Sequence, residues 1–145
     1  MRGEKYSPRS LFNKEGYGFY WKWGKYMRFS SSLKRNHIFR RLYSSQGHAN
    51  GYLVLYARRN RSGHNYVGIT VSKKLGCAVV RNRTRRRIRE VYRLHEDLFT
   101  PGWDIVIVAR TRATKAEFSA LTRGLLSLAE KAALLREQPE VGAAT

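Results

Sequence analysis

The stretch from Ser72 to Arg93, S-K-K-L-G-C-A-V-V-R-N-R-T-R-R-R-I-R-E-V-Y-R, leaves the chain the fewest options. Turned at about 100° per residue, its second half separates into two faces. Asn82, Arg85, Arg86, Arg89 and Arg93 gather on one side. Ile88, Val91 and His95 gather on the other, with Leu94 at its edge and Tyr92 on a flank. The pattern predicts an amphipathic helix whose apolar side buries and whose polar side is almost wholly guanidinium. Like charges one turn apart repel, and a polyanion relieves that repulsion. Arginine suits phosphate, because its planar fork donates two parallel hydrogen bonds and is weakly hydrated. A solvated charged face normally mixes signs, whereas here only Glu90 interrupts. Nucleic-acid contact is the better reading of this face.

The rest of the composition points the same way. With 145 residues, 42% of them hydrophobic, the chain has room for one modest core and an appendage. A formal net charge of +19 calls for a polyanionic partner. A membrane surface fits less well, since no apolar run approaches the roughly 20 residues of a spanning helix. No secretory signal is visible, and Cys77 is the only cysteine, which rules out an internal disulfide framework and fits a reducing compartment. Cytoplasm is the expected location.

Taken in order, residues 1–29 interleave aromatics with Gly, Lys and Arg and show neither helical nor strand periodicity. They are expected to form a poorly ordered extension. Such a mixture can grip RNA by stacking bases and pairing phosphates. A tail without a role, or a chain whose natural start is Met27, accounts for it equally well. The run Ser30-Ser31-Ser32 offers N-cap candidates for a short helix carrying Leu33, Ile38, Phe39, Leu42 and Tyr43, ended near Gln46-Gly47. A hydrophilic link over His48–Gly51 leads to a strand at Tyr52–Ala57, a polar hairpin connection with Ser62-Gly63, and a second strand at Tyr66–Ser72. Lys73–Val80 crosses into the arginine helix, where Gly76 permits an unusual backbone angle. After Pro101-Gly102, Trp103–Ala109 reads as a strand buried on both faces. Thr114 with Glu117 forms a capping-box pattern. Beyond it Phe118, Leu121, Leu125, Leu128, Ala132 and Leu135 recur at helical spacing and are assigned to the core. Residues 137–145 should fray, leaving 30–136 as the domain. The order α-β-β-α-β-α predicts an α+β two-layer sandwich.

Catalytic chemistry is thinly represented. His37, His48, His64 and His95 lack metal-site spacing. No base can be paired with Cys77, and no phosphate-cradling glycine loop occurs. Glu90, Glu96, Asp97 and Asp104 could in principle hold a metal, though Glu90 is better placed to pair with nearby arginines. The residues therefore imply no catalytic group and no metal ligand in this chain. Its parts are those of an RNA binder. A ribosomal-type binder is equally open on composition; a zipper-type DNA-binding protein lacks the heptads; a self-sufficient nuclease lacks the chemistry.

K-K-L-G-C-A-V-V-R-N-R-T-R-R-R-I-R-E resembles the basic signature of the bacterial ribonuclease P protein subunit, and the likeness extends from about Leu33 to about Leu135. The resemblance implies a non-catalytic subunit beside a large RNA. That RNA carries the magnesium ions that activate water for phosphodiester cleavage. It implies two partners, the catalytic RNA and precursor tRNA, with no protein partner required. It places Lys73, Lys74, Arg81, Asn82, Arg83, Arg85, Arg86 and Arg89 in RNA binding; Arg87 and Arg93 are added from their position on the helix. A cleft for the 5′ leader would be lined by Phe39, Tyr43 and Tyr56. The resemblance also implies that the basic helix lies in an unusual left-handed β-α-β crossover, like the second domain of ribosomal protein S5. The residues alone would favour a right-handed one.

Overall fold

A computed structural model describes residues 27–136. In chain order it contains β1 (Ser30–Ser32), α1 (Asn36–Tyr43), β2 (His48–Ala49), β3 (Leu53–Arg59), β4 (Asn65–Thr70), α2 (Ala78–Leu94), β5 (Trp103–Ala109) and α3 (Phe118–Lys131). Single 3-10 turns at Lys73–Leu75, Glu96–Leu98 and Thr111–Thr114 join them. The strands form one sheet in the order β1-β4-β5-β3-β2. β4 runs parallel to both β1 and β5, while β3 is antiparallel to β5 and β2. The polar connection around Ser62-Gly63 is therefore not the expected hairpin: β5 inserts between β3 and β4, and the loop bridges two strands that do not pair. The expectations for residues 1–26 and 137–145 concern positions outside the described residues.

β5 organises the sheet. Its sequence W-D-I-V-I-V-A sends Ile105, Ile107 and Ala109 into one core and Val106 into another. The larger core lies under α2 and α3 and includes Leu53, Leu55, Val67, Ile88, Val91, Tyr92, Leu121, Leu125 and Leu128. The smaller one, Leu33, Leu42 and Val106, is closed by α1 on the opposite face. The expected two-layer sandwich is therefore corrected to a sheet with helices on both faces. A strand apolar on both sides needs cover on both.

Four local expectations also change. The Ser30–Ser32 run does not cap a helix. It is a strand pairing Ser30 with Asn65 and Ser32 with Val67, and α1 begins later, after an extended Arg35 that makes no side-chain cap. Leu33 consequently precedes α1 and is buried beneath it. Within the His48–Gly51 link, His48 and Ala49 add a short strand along β3. Thr114 makes no capping box: its hydroxyl donates to the Thr111 carbonyl at 2.8 Å, and Glu117 holds the N-cap of α3 without a side-chain bond. Phe118 lies largely outside the core, whereas Leu121, Leu125 and Leu128 fill it.

A polar knot explains why β1 joins the sheet. Asn65 is fully buried; its Nδ2 donates to the Tyr92 hydroxyl at 3.2 Å and to the Thr100 carbonyl at 3.1 Å, and its Oδ1 accepts from the Trp103 N–H at 2.8 Å. The Ser30 and Tyr92 hydroxyls lie 2.6 Å apart. Buried Glu96 accepts the backbone N–H groups of Arg28 and Phe29 at 2.7 and 3.0 Å, and Arg28 pairs with Asp97. Residues 27–29 are thus tied to the domain.

Burial pushes the Tyr92 hydroxyl up to about 12. Its folded value lies above the unfolded one near 10, so the associated stability is fully present below about pH 10 and is lost as pH rises through 12. Tyr92→Phe should cost about 1–3 kcal/mol at neutral pH, because it strands the Ser30 hydroxyl. In urea melts the gap between the two proteins should narrow from about pH 10 upward. Parallel alkaline curves would show that the hydroxyl is not buried as described.

Candidate nucleic-acid interface

α2 is fixed from beneath. Thr84, Ile88, Val91 and Tyr92 are its buried residues, all on the side that the apolar pattern indicated. Its entry is set by Gly76, whose φ of 148° suits glycine. Just before it, the Ser72 hydroxyl accepts from the Lys74 N–H at 3.2 Å, folding the Lys73–Leu75 turn. Lys73 and Lys74 are exposed on that turn, and Asn82, Arg83 and Arg86 are exposed on the helix.

The remaining basic residues divide by what they touch. Arg81 is half-buried, its Nε donating to the Gly76 carbonyl at 3.1 Å, and Arg85 Nη1 donates to Asn82 Oδ1 at 2.9 Å. Arg89 is half-buried; desolvation first, and the charge of Arg85 second, lower its pKa. Arg87, on the flank, gives an Nη2 proton to the Ala116 carbonyl and ties α2 to the segment before α3. Arg93 holds Glu90 through both arms of its fork, Nε to Oε1 at 2.9 Å and Nη2 to Oε2. This hydrogen bond raises the Arg93 pKa and holds the Glu90 carboxyl below its usual range. Arg87 and Arg93 therefore have structural duties, and the open part of the ridge runs through Lys73, Lys74, Asn82, Arg83 and Arg86.

On the other face of the sheet, α1 and β3 bring Phe39, Tyr43 and Tyr56 together. The rings of Phe39 and Tyr43 lie 6.4 Å apart, and Tyr43 meets Tyr56 edge to face at 5.4 Å. Phe39 lies against Gly68, where an added Cβ would come within 2.5 Å of its ring, so β4 keeps a glycine at this close approach. Tyr43 is 42% exposed, and its hydroxyl lies 3.1 Å from that of Thr70. Thr70 ends β4, three residues before Lys73. The aromatic cleft and the start of the cationic ridge thus flank the same end of β4.

The acids have other partners: Glu90 holds Arg93, Glu96 accepts backbone N–H groups, Asp97 pairs with Arg28, and Asp104 accepts from Asn60 Nδ2 at 3.0 Å. Among the described residues no three His, Cys, Asp or Glu side chains come together as a metal site. His95 ends α2, its Nδ1 lying 2.8 Å from the Val91 carbonyl. Cys77 is an exposed N-cap whose thiol is shifted down by the Val80 and Val79 N–H groups. One feature escaped the sequence reading. The end of β3 and its connection to β4 carry Arg58, Arg59 and Arg61, all exposed, near Tyr66. Its signal was the run R-R-N-R, read only as a polar hairpin.

Comparison with known proteins agrees with this arrangement. The family model described as Ribonuclease P matches residues 27–133. The ribonuclease P protein component of Clostridioides difficile is 40% identical over 104 residues, 70% of this chain and 91% of that protein. Its counterpart in Lachnoclostridium phytofermentans is 43% identical over 102 residues, covering 70% and 88%. The solved ribonuclease P protein of Staphylococcus aureus superposes with a TM-score of 0.66 at 32% identity, covering 75% of this chain and 99% of that one. That of Thermotoga maritima gives 0.64 at 26% identity, covering 70% and 96%. With an exposed arginine ridge, an aromatic cleft and a family match over nearly the whole described domain, this chain belongs to the ribonuclease P protein family.

Proposed function

We propose that this chain is the protein subunit of a ribonucleoprotein endoribonuclease, in which it binds the catalytic RNA and the 5′ leader of precursor tRNA and so assists removal of the leader. The observation that carries the reading is the pairing of two unlike surfaces on one sheet. Lys73, Lys74, Arg83 and Arg86 present unneutralised charge, with the Asn82 amide among them, and Phe39, Tyr43 and Tyr56 present aromatic edges and faces. The first suits the phosphates of a folded RNA. The second suits an unpaired strand whose bases can stack.

The physical task is to hold two polyanions together. Catalytic RNA and leader repel, and cations placed between them lower that cost. The first turn of α2 contains no acid, so its helix dipole and its arginines both favour an anion there. Magnesium belongs with the RNA in this proposal, supplying water activation at the scissile phosphate. The four acids considered as metal ligands are instead bonded within the domain, a poor fit to a protein-held ion. The chain's own contribution is to bind and orient RNA, with no catalytic side chain.

Further parts of the proposal are a cytoplasmic location and a left-handed β4–α2–β5 crossover like that in the second domain of ribosomal protein S5. No helix among the described residues is long and apolar enough to cross a membrane. An experimental structure with a right-handed crossover would remove the last of these.

Reconstitution tests the function. Mixed with a ribonuclease P RNA at low magnesium, the chain should restore cleavage of precursor tRNA to a 5′-phosphorylated product; a binder of ribosomal RNA alone would leave cleavage untouched. Arg86→Ala should weaken binding of the catalytic RNA and lower the slope of log K against log salt by about one unit, the effect of one phosphate contact. An unchanged slope would take Arg86 off the interface. Tyr56→Ala should weaken binding of leader-bearing precursor by about 1–3 kcal/mol while sparing mature tRNA. Equal losses on both would remove Tyr56 from the leader site.

A further inference from the structure

We propose that the end of β3 and the loop joining it to β4 form a second RNA-binding surface, which takes the part of the 5′ leader that extends beyond the aromatic cleft. This rests on the leader reading of that cleft. Arg58, Arg59 and Arg61 occupy three of four consecutive positions and are all exposed. Among the described residues no carboxylate pairs with any of them, and Arg59 lies over the Trp103 ring at 5.4 Å. Clustered like charge of this kind works against folding until an anion neutralises it.

The loop is also rigidly built. Asn60 Oδ1 accepts from the Ser62 N–H and hydroxyl, both at 2.8 Å. Its Nδ2 donates to the His64 carbonyl and to Asp104 Oδ1, each at 3.0 Å, and its backbone N–H donates to the Gly102 carbonyl at 2.9 Å. Within this frame Arg61 sits at φ 64°, a left-handed angle that glycine or asparagine would adopt at lower cost. A long cation is held where local geometry favours a different residue, which points to a use for its charge.

Continuity with the cleft identifies the occupant. Tyr56 and Arg58 project from the same face of β3, one pleat or about 7 Å apart. Arg58 stands opposite Asp104 on β5, and Asp104 opposite Tyr66 on β4. Tyr66 is 38% exposed, and His64 meets its ring edge-on at 5.0 Å. The His64 Nε2 is in turn 2.9 Å from the Ser31 hydroxyl. Asp104, the acid in this row, is buried and engaged by Asn60, not by Arg58. The row thus continues the cleft with one more aromatic face and adds guanidinium, the pair of groups that holds an unpaired strand by base and by phosphate.

The test uses holoenzyme assembled with the wild-type chain or with Arg58→Ala/Arg61→Ala. Its affinity is measured over a range of salt for precursors whose leaders end within the cleft or run past it. The double variant should match wild type on the short leader. On the long leader it should bind more weakly, with a salt slope lower by about 1.4, two phosphates at about 0.7 each. Tyr66→Ala should lose about ten-fold on the long leader alone, one base stack. Equal losses on both leaders would put this loop against catalytic RNA, and no loss would leave its arginines merely solvated; either result overturns the proposal. A wild-type chain that fails to support cleavage would instead overturn the subunit reading, visible before any variant is compared.

Discussion

Burial of β5 on both faces is the constraint from which the architecture follows. Ile105, Val106 and Ile107 are fully buried although they alternate between two cores. Each such side chain contributes roughly 1.5–3 kcal/mol when removed from water. Neither face can be left wet, so α1 must cover one and α2 with α3 the other. This division keeps the aromatic cleft and the arginine ridge on opposite faces. A helix alone is about 10 Å across, more than the screening length of about 8 Å at physiological salt. Two RNA segments bound as proposed on those faces would be spared much of their mutual repulsion, and would approach one another only where β4 ends at Thr70 and Lys73 follows.

The second organising element is polar. Asn65 bonds to Tyr92 on α2, to the carbonyl of Thr100 and to the backbone of Trp103 on β5. Tyr92 reaches the hydroxyl of Ser30 on β1. Such a fully satisfied buried network fixes relative placement, since any alternative leaves costly unpaired groups. It sets the register of β1 against β4 and covers the edge that β4 would otherwise expose. The same network seats the C-terminal half of α2, so that the position of the ridge is determined at the helix's buried end.

What was legible in the sequence was whatever depends on local periodicity. Trp103–Ala109 was read with its observed bounds and its burial on both faces, because seven near-continuous apolar residues between turns allow little else. The faces of α2 were read correctly from side-chain spacing, as was the need for a glycine at Gly76. What was not legible depended on distant partners. Three serines score as a helix cap, yet β4 and Tyr92 draw them into a strand. Thr114 and Glu117 have capping-box spacing, yet a 3-10 turn uses the threonine for its own carbonyl bond. The layer count failed for the same reason: periodicity says that α1 has an apolar side, not which face of the sheet it meets. In the site, residue type marked the arginines but could not show that Arg87 would find the Ala116 carbonyl.

That last distinction bears on how a small domain can carry so much positive charge. α2 does not rely on its outer face for stability: Thr84, Ile88, Val91 and Tyr92 hold it from below. Arg87 and Arg93 answer to protein acceptors: Arg87 ties the helix to the segment before α3, and Arg93 bonds Glu90 within α2 itself. Arg83 and Arg86 are exposed without such acceptors among the described residues, and the first turn carries no acid to offset the helix dipole. Uncompensated charge on a firmly seated helix is rigidly positioned, so little ordering cost remains when phosphates arrive. The same logic holds for the β3–β4 loop, where Asn60 supplies the rigidity and the arginines supply the charge. In both places the fold satisfies its own polar groups and leaves guanidinium charge that the proposed RNA would neutralise.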